Sequence, residues 1–166
     1  FTDGEMTSAD SIKHTGEKKY ITQDGNVLYG GGGITPDVFV PFDTTAIDKN
    51  IIDALINGTL NRFVYLNFLR HQKEFKQYSS PKIFDEKYVV GENTLNDLKH
   101  YAQKDSINLN IENKKDKALL QKQIKEITAR EIWNTEGYYE IKNTYDSTVS
   151  KALDLMKPGL NTTTLK

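Results

Sequence analysis

Three groups of residues have types and spacings that could support chemistry, and the first is a serine-lysine pair. Ser147 and Lys151 are four residues apart, which on a helix brings a hydroxyl near an amine that could act as its general base. Such a nucleophile also needs a desolvated base and an oxyanion hole, and the neighbouring sequence indicates neither. The chain contains no Gly-x-Ser-x-Gly motif. We therefore interpret this pair as helix surface.

The second group consists of candidate metal ligands. His71 and Glu74 are three residues apart and share one face of a helix, but no second pair of ligands accompanies them. The chain has no cysteine, which excludes disulfides, thiolate catalysis and cysteine-based metal sites. Paired carboxylates such as Asp85-Glu86 indicate solvated charge. The sequence thus predicts no metal site and no cofactor.

The third group is a run of four glycines that leads into an Ile-x-Pro-Asp turn. Its members are Gly30, Gly31, Gly32, Gly33, Ile34, Pro36 and Asp37. A phosphate cradle would need a glycine-rich loop followed by Lys and Ser/Thr at a helix start. Here the short apolar, β-prone run Val38–Val40 follows instead. The glycines therefore predict a structural turn, where unusual dihedral angles or close backbone approach are required.

Aromatic residues cluster near the C-terminal end of the chain. Trp133, Tyr138 and Tyr139 surround Gly137, and an earlier segment carries Phe68 and other rings. The favoured interpretation is a core shared between two helices. The alternative is an exposed aromatic surface that binds a peptide or a protein.

Bulk composition limits the classes of partner. Hydrophobic residues make up 37% of the 166 residues, charged residues 27%, and the formal net charge is −1. A general nucleic-acid or anionic-membrane binder would need a basic excess, so both are disfavoured. No apolar run approaches the roughly 20 residues of a membrane span. The chain opens on Phe1, which we interpret as a piece of a longer protein.

The elements divide into a β-rich arm and a helical region. Asp24-Gly25 between β-forming residues predicts a hairpin, and Val38–Val40, bounded by prolines, predicts a short edge strand. Beyond Pro41 the apolar period becomes helical, with breaks near Gly58, Gly91 and Gly137. From Tyr138 to Met156 the apolar residues step by three or four, which predicts one amphipathic helix. We expect an α+β fold, mainly α, in which a hairpin/strand arm at about 18–40 precedes a bundle of five to six helices.

Several segments together resemble one enzyme family. The span Tyr20–Asp43 resembles the end of the catalytic domain of the carboxyl-terminal processing (tail-specific) serine peptidases, where a T-x-x-G-x-x-V-Y-G-G-G-G-I-x-P-D segment closes the protease core. Residues Asp3–Ile12 are similar to the linking segment of exported Gram-negative members. Ala129–Trp133, followed by Tyr138-Tyr139, is similar to the signature of their helical C-terminal extension.

The resemblance implies a domain division and a role. Residues 1–42 would end the protease core, and 43–166 would form a helical C-terminal domain. Family members use a serine nucleophile and a lysine base in upstream glycine-rich motifs, none of which occurs in this chain. No catalytic residue is therefore assigned, and the chain alone is expected to be inactive. It would serve as a structural, oligomerisation or substrate-guiding module of a parent exported to the periplasm or cell envelope.

The expected partners follow from the same reasoning. They are the rest of the parent protease core and the peptide or protein substrate of the parent. Without the parent sheet, strands around Tyr20–Tyr29 and Val38–Val40 would have unpaired edges, so we expect them to pair between copies or to lie against the helices. The alternative from a different class is an autonomous helical module that binds a peptide or a protein and has no enzymatic role.

Overall fold

The computed structural model describes residues 18–23, 25, 27–30, 38–41 and 47–157. Within them the chain forms one hairpin and then six α-helices, which confirms the predicted α+β, mainly α fold. In chain order the elements are β1 (Lys18–Ile21), β2 (Val27–Gly30), α1 (Lys49–Ile56), α2 (Thr59–Phe75), α3 (Pro81–Lys87), α4 (Glu92–Ala102), α5 (Lys114–Thr144) and α6 (Ser147–Leu155). The chain divides into a helical unit, residues 46–150, and a second unit that includes the hairpin. No helix within these described ranges is long and apolar enough to cross a membrane.

The hairpin forms where the sequence predicts it. Strands β1 and β2 pair antiparallel, with Lys18 opposite Gly30 and Ile21 opposite Val27. Gly25 has φ 81°, which favours glycine in the turn. The strand predicted at Val38–Val40 is wrong, since the described residues 38–41 adopt no strand. Prolines bound this run in the sequence, and a proline has no N–H to donate to a strand ladder.

Helix starts in the helical unit are set by short polar side chains. Asp48 caps α1, its carboxylate accepting from the backbone N–H of Asn50 at 2.8 Å. Ser80 caps α3, whose first residue is proline, and Asn113 caps α5 by accepting from Lys115 N–H at 2.9 Å. Each side chain satisfies a backbone donor that the first helical turn leaves unpaired.

Two hydrophobic clusters hold the helical unit together. The larger lies between α1, the first half of α2, α4, the segment after α4 and the first half of α5. Its buried members are Ile51, Ala54, Leu60, Phe63, Val64, Val90, Leu95, Leu98, Ala102, Ile107, Leu109, Ile111, Leu120, Ile124 and Ile127. The smaller is centred on the buried ring of Phe84, which joins α3 to the end of α2 and to α5.

Helix α5 is two arms joined by a reversal. Trp133 (φ −123°, ψ 16°) and Asn134 (φ 58°, ψ −149°) leave the helical conformation. In a straight helix, Lys122 and Tyr145 would stand roughly 35 Å apart at about 1.5 Å per residue. The Lys122 Nζ instead lies 5.4 Å from the centre of the Tyr145 ring. We call residues 114–132 the first arm and residues 135–145, which end with the C-terminal capping residue Tyr145, the second arm. The two arms run antiparallel.

The reversal corrects two expectations about the C-terminal helices. A break was predicted at Gly137, but the chain turns at Trp133–Asn134 and Gly137 lies buried inside the second arm. A single amphipathic helix was predicted from Tyr138 to Met156. It ends at Thr144, because Asp146 then caps the separate helix α6 by accepting from two backbone N–H groups. None of the α6 residues is buried.

Candidate functional site

The first candidate surface is the aromatic group around Gly137, and Trp133 belongs to its buried part. The indole ring meets Phe84 edge-on, with ring centres 5.6 Å apart. Phe84 also contacts Tyr88 at 4.7 Å and Tyr78 at 5.2 Å. The side chain of Trp133 is half-buried against this cluster. Its contacts are those of a core ring, as the favoured interpretation predicts.

Tyr138 and Tyr139 form a separate pair on the second arm. Their ring centres lie 5.2 Å apart at an angle of 78°. Arg130 lies 6.0 Å from the centre of the Tyr138 ring, and Lys142 lies 5.6 Å from Tyr138 and 6.0 Å from Tyr139. Tyr139 is 52% exposed. The structure therefore divides the predicted surface: Trp133 packs inward, and the tyrosines lie under two cations.

A second candidate site is a cleft of about 270 Å³ between the residues after α3 and the two arms of α5. We call it the lysine cleft. Its walls combine apolar, aromatic and charged groups. The lining residues are Tyr88, Val89, Val90, Ala118, Gln121, Lys122, Lys125 and Tyr145.

Asp85 anchors one side of the lysine cleft. Its Oδ1 accepts from Lys125 Nζ at 2.7 Å and from the Tyr145 hydroxyl at 3.0 Å. Lys125 also donates to the backbone carbonyl of Asp85. The Lys125 side chain is only 12% exposed, so this ion pair lies where solvent screens it little. Asp85 therefore fixes Lys125 and Tyr145 in place and ties α3 to both arms of α5.

Burial shifts the titration of three groups near the cleft. It raises the pKa of Tyr88 to about 12, with the nearby Tyr78 and Glu74 adding to the effect. Burial also raises the pKa of Tyr145, and the hydrogen bond to Asp85 acts in the same direction. The pKa of Glu126 is raised by burial, which outweighs the opposing attraction of Lys122 and Lys142.

Glu126 is a buried carboxyl between the arms of α5. Its side chain is 1% exposed, and Oε1 has no hydrogen-bond partner. Lys122 Nζ lies 3.8 Å from this oxygen, while Oε2 accepts from Gln123 at 3.3 Å. Such burial disfavours the charged form, as the direction of the pKa indicates.

Within the described residues, the other candidates from the sequence do not form a metal site or a catalytic pair. His71 Nδ1 lies 2.9 Å from the Asn67 carbonyl oxygen, and no group of three or more metal-ligating side chains occurs within the described part of the chain. Ser147 and Lys151 are both exposed. Gly30 ends β2, and the rest of the glycine motif, residues 31–37, lies outside the described residues.

The contacts around Asp85 differ from the solvated charge that the sequence predicts for Asp85-Glu86. Asp85 and Tyr145 are 60 residues apart, so no local spacing links them. A weak signal was available in Lys125, a cation next to the apolar positions Ile124 and Ile127 of α5. A charged side chain at such a position often needs a buried partner.

Comparison with known proteins gives a family for the helical unit. No curated protein and no solved structure shows a significant match to the chain. A family model matches residues 51–134, about half of the chain, from within the first turn of α1 to the reversal of α5. The chain therefore belongs to a family of unknown function, DUF8443.

Proposed function

We propose that this chain is the non-catalytic C-terminal portion of a carboxyl-terminal processing serine endopeptidase. The glycine motif that begins at Gly30 supplies the resemblance. In this proposal the hairpin completes the protease core. The helical unit acts as a structural, oligomerisation or substrate-guiding module, and the Ser/Lys pair of the enzyme is outside this chain.

The exposed hairpin is the observation that carries the proposal. Its large apolar side chains remain between 50% and 76% exposed. They are Tyr20, Ile21, Val27 and Leu28. The sheet has only two strands within the described residues, and a two-stranded sheet is marginal by itself. Exposed apolar faces suit a hairpin that adds to a larger sheet.

The packing of the helical unit favours a structural module. Its own hydrophobic clusters bury apolar residues from α1 to α5. Trp133, which could have lined a binding groove, contacts Phe84 instead. A unit with its own core can keep its shape beside the protease core without contributing to the chemistry. Export of the parent to the periplasm or cell envelope stays a proposal that rests on the similarity of Asp3–Ile12 to the linking segment.

The sequence encoded upstream of Phe1 tests the proposal. We expect an open reading frame that continues upstream and contains a serine and a lysine in separate glycine-rich motifs. A reading frame without such a pair would remove the family assignment. As a matched biochemical test, Ile21→Lys and Leu28→Lys should weaken association with the upstream core, whereas Ile56→Lys on α1, at a site 77% exposed, should not.

The alternative, an autonomous module that binds a peptide or a protein, is favoured by one observation. Tyr139 is half exposed beside Tyr138, and Lys142 lies over both rings. In that case an acidic peptide should change Trp133 fluorescence, and Tyr139→Ala should weaken binding. The control is Tyr65→Ala, at an exposed tyrosine on α2. An equal effect of both substitutions, or no binding, would count against this alternative.

A further inference from the structure

The reversal of α5 is short and conformationally costly. Asn134 has φ 58° and ψ −149°, a combination that glycine adopts readily and other residues rarely. Asn134, Thr135 and Glu136 are all exposed. Because these three side chains are exposed, they make no packing contact with the core that would stabilise the turn.

Contacts along its whole length hold the second arm, and several lie close to this turn. Gly137 lies against the Ala129 carbonyl, and Arg130 lies over Tyr138. Further from the turn, Lys122 lies over Tyr145. These contacts depend on which surfaces meet, and not on the covalent link between them. The second arm of another copy could make every one of them.

We propose that α5 opens at Trp133–Asn134 into one continuous helix and exchanges its second arm with a second copy of this chain. The exchange keeps the contacts between the arms and removes the unfavourable dihedral angles of Asn134. Short, strained connections are known to favour such swapping. The continuous helix would be roughly 46 Å long for 31 residues at about 1.5 Å per residue. The lysine cleft is then completed by the partner subunit's Tyr145.

The proposal concerns the helical unit alone and does not depend on the peptidase assignment. It predicts a dimer whose interface is the one already present between the second arm and its neighbours, the first arm and α3. It also gives a physical basis for an oligomerisation role. Association through the edges of the hairpin would produce a different dimer, in which each second arm stays on its own chain.

Distance measurement between two spin labels separates these cases. The chain lacks cysteine, so Lys115→Cys and Asn143→Cys, both at exposed positions, give two unique labelling sites. Labelled chain is unfolded with an excess of unlabelled chain, refolded at high concentration and separated by size. In the dimer fraction we expect an intrachain distance of roughly 42 Å, against about 15–20 Å in the monomer.

Matched substitutions at Asn134 test the cause. Asn134→Gly accommodates the turn and should lower the dimer fraction several-fold, whereas Asn134→Ala should raise it. A chain that stays monomeric at all concentrations would overturn the proposal. So would a dimer that retains the short intrachain distance, since its arms would not have exchanged.

Discussion

Replacing Gly137 with alanine tests the antiparallel arrangement of the α5 arms through the sign of its effect. The new Cβ would lie 2.7 Å from the Cβ of Trp133 and 2.8 Å from the carbonyl oxygen of Ala129. A backbone oxygen on the facing arm cannot move as a flexible side chain can. The arms must therefore separate or the helix must shift.

The magnitude follows from two opposing effects. Overpacking of a close contact costs about 1–3 kcal/mol. Alanine is a better helix former than glycine by about 1 kcal/mol, which offsets part of that cost. With an overpacking cost in the middle of that range, we expect Gly137→Ala to lower the free energy of unfolding by about 1 kcal/mol. In a straight, exposed helix the same change would instead raise it by about 1 kcal/mol.

Urea denaturation provides the assay, followed by far-ultraviolet circular dichroism and by the fluorescence of Trp133, the single tryptophan. Gly91→Ala is the control, because no atom lies within 4 Å of the position its Cβ would take. Its effect should be small. Equal or greater stability of Gly137→Ala relative to the wild type would refute the close packing of the two arms.

Three further predictions concern buried side chains. Phe84→Ala should lower the free energy of unfolding by about 3–5 kcal/mol, because a fully buried ring is lost. If urea denaturation shows that the free energy of unfolding falls by less than about 1 kcal/mol, the aromatic cluster is contradicted. Glu126→Gln should stabilise the fold at neutral pH, with a gain that shrinks on acidification. The pKa of the folded-state carboxyl is raised, so the wild type loses stability as pH rises from the unfolded-state pKa through the folded-state value. A gain that does not depend on pH would refute this reasoning. The pKa of Tyr88 is raised to about 12, so wild-type stability should fall as pH rises from about 10 to about 12, by on the order of 2–3 kcal/mol. Urea titrations of Tyr88→Phe over the same range should show a smaller decline, and an equal decline would contradict the burial of the hydroxyl.

The predictable parts of the fold are those bounded by turn-forming or helix-capping residues. The hairpin was predictable because glycine follows Asp24, and Gly25 adopts a positive φ. The boundary between α1 and α2 was predictable because a glycine, Gly58, interrupts the helical pattern there, and in the structure it adopts φ 71°. The start of α3 follows from Ser80 and the proline after it. In each case one residue carries the conformational preference.

The reversal of α5 was not predictable from such signals. Neither residue of the turn, Trp133 or Asn134, is a glycine or a proline, and the segments on both sides have helical periodicity. The nearest glycine, Gly137, instead serves close packing between the arms. The hydrogen bond from Tyr145 to Asp85 was not predictable for the same reason: it exists only once the second arm folds back.

Peptide hydrolysis tests the central functional claim most directly. The complete gene product and this chain alone are each incubated with an unfolded peptide, and cleavage is followed over time. We predict turnover by the complete protein, abolished by substitution of its upstream serine, and none by this chain. Turnover by the purified chain, or persistent turnover after the serine is replaced, would contradict the proposal that the chain is the non-catalytic portion of a serine peptidase.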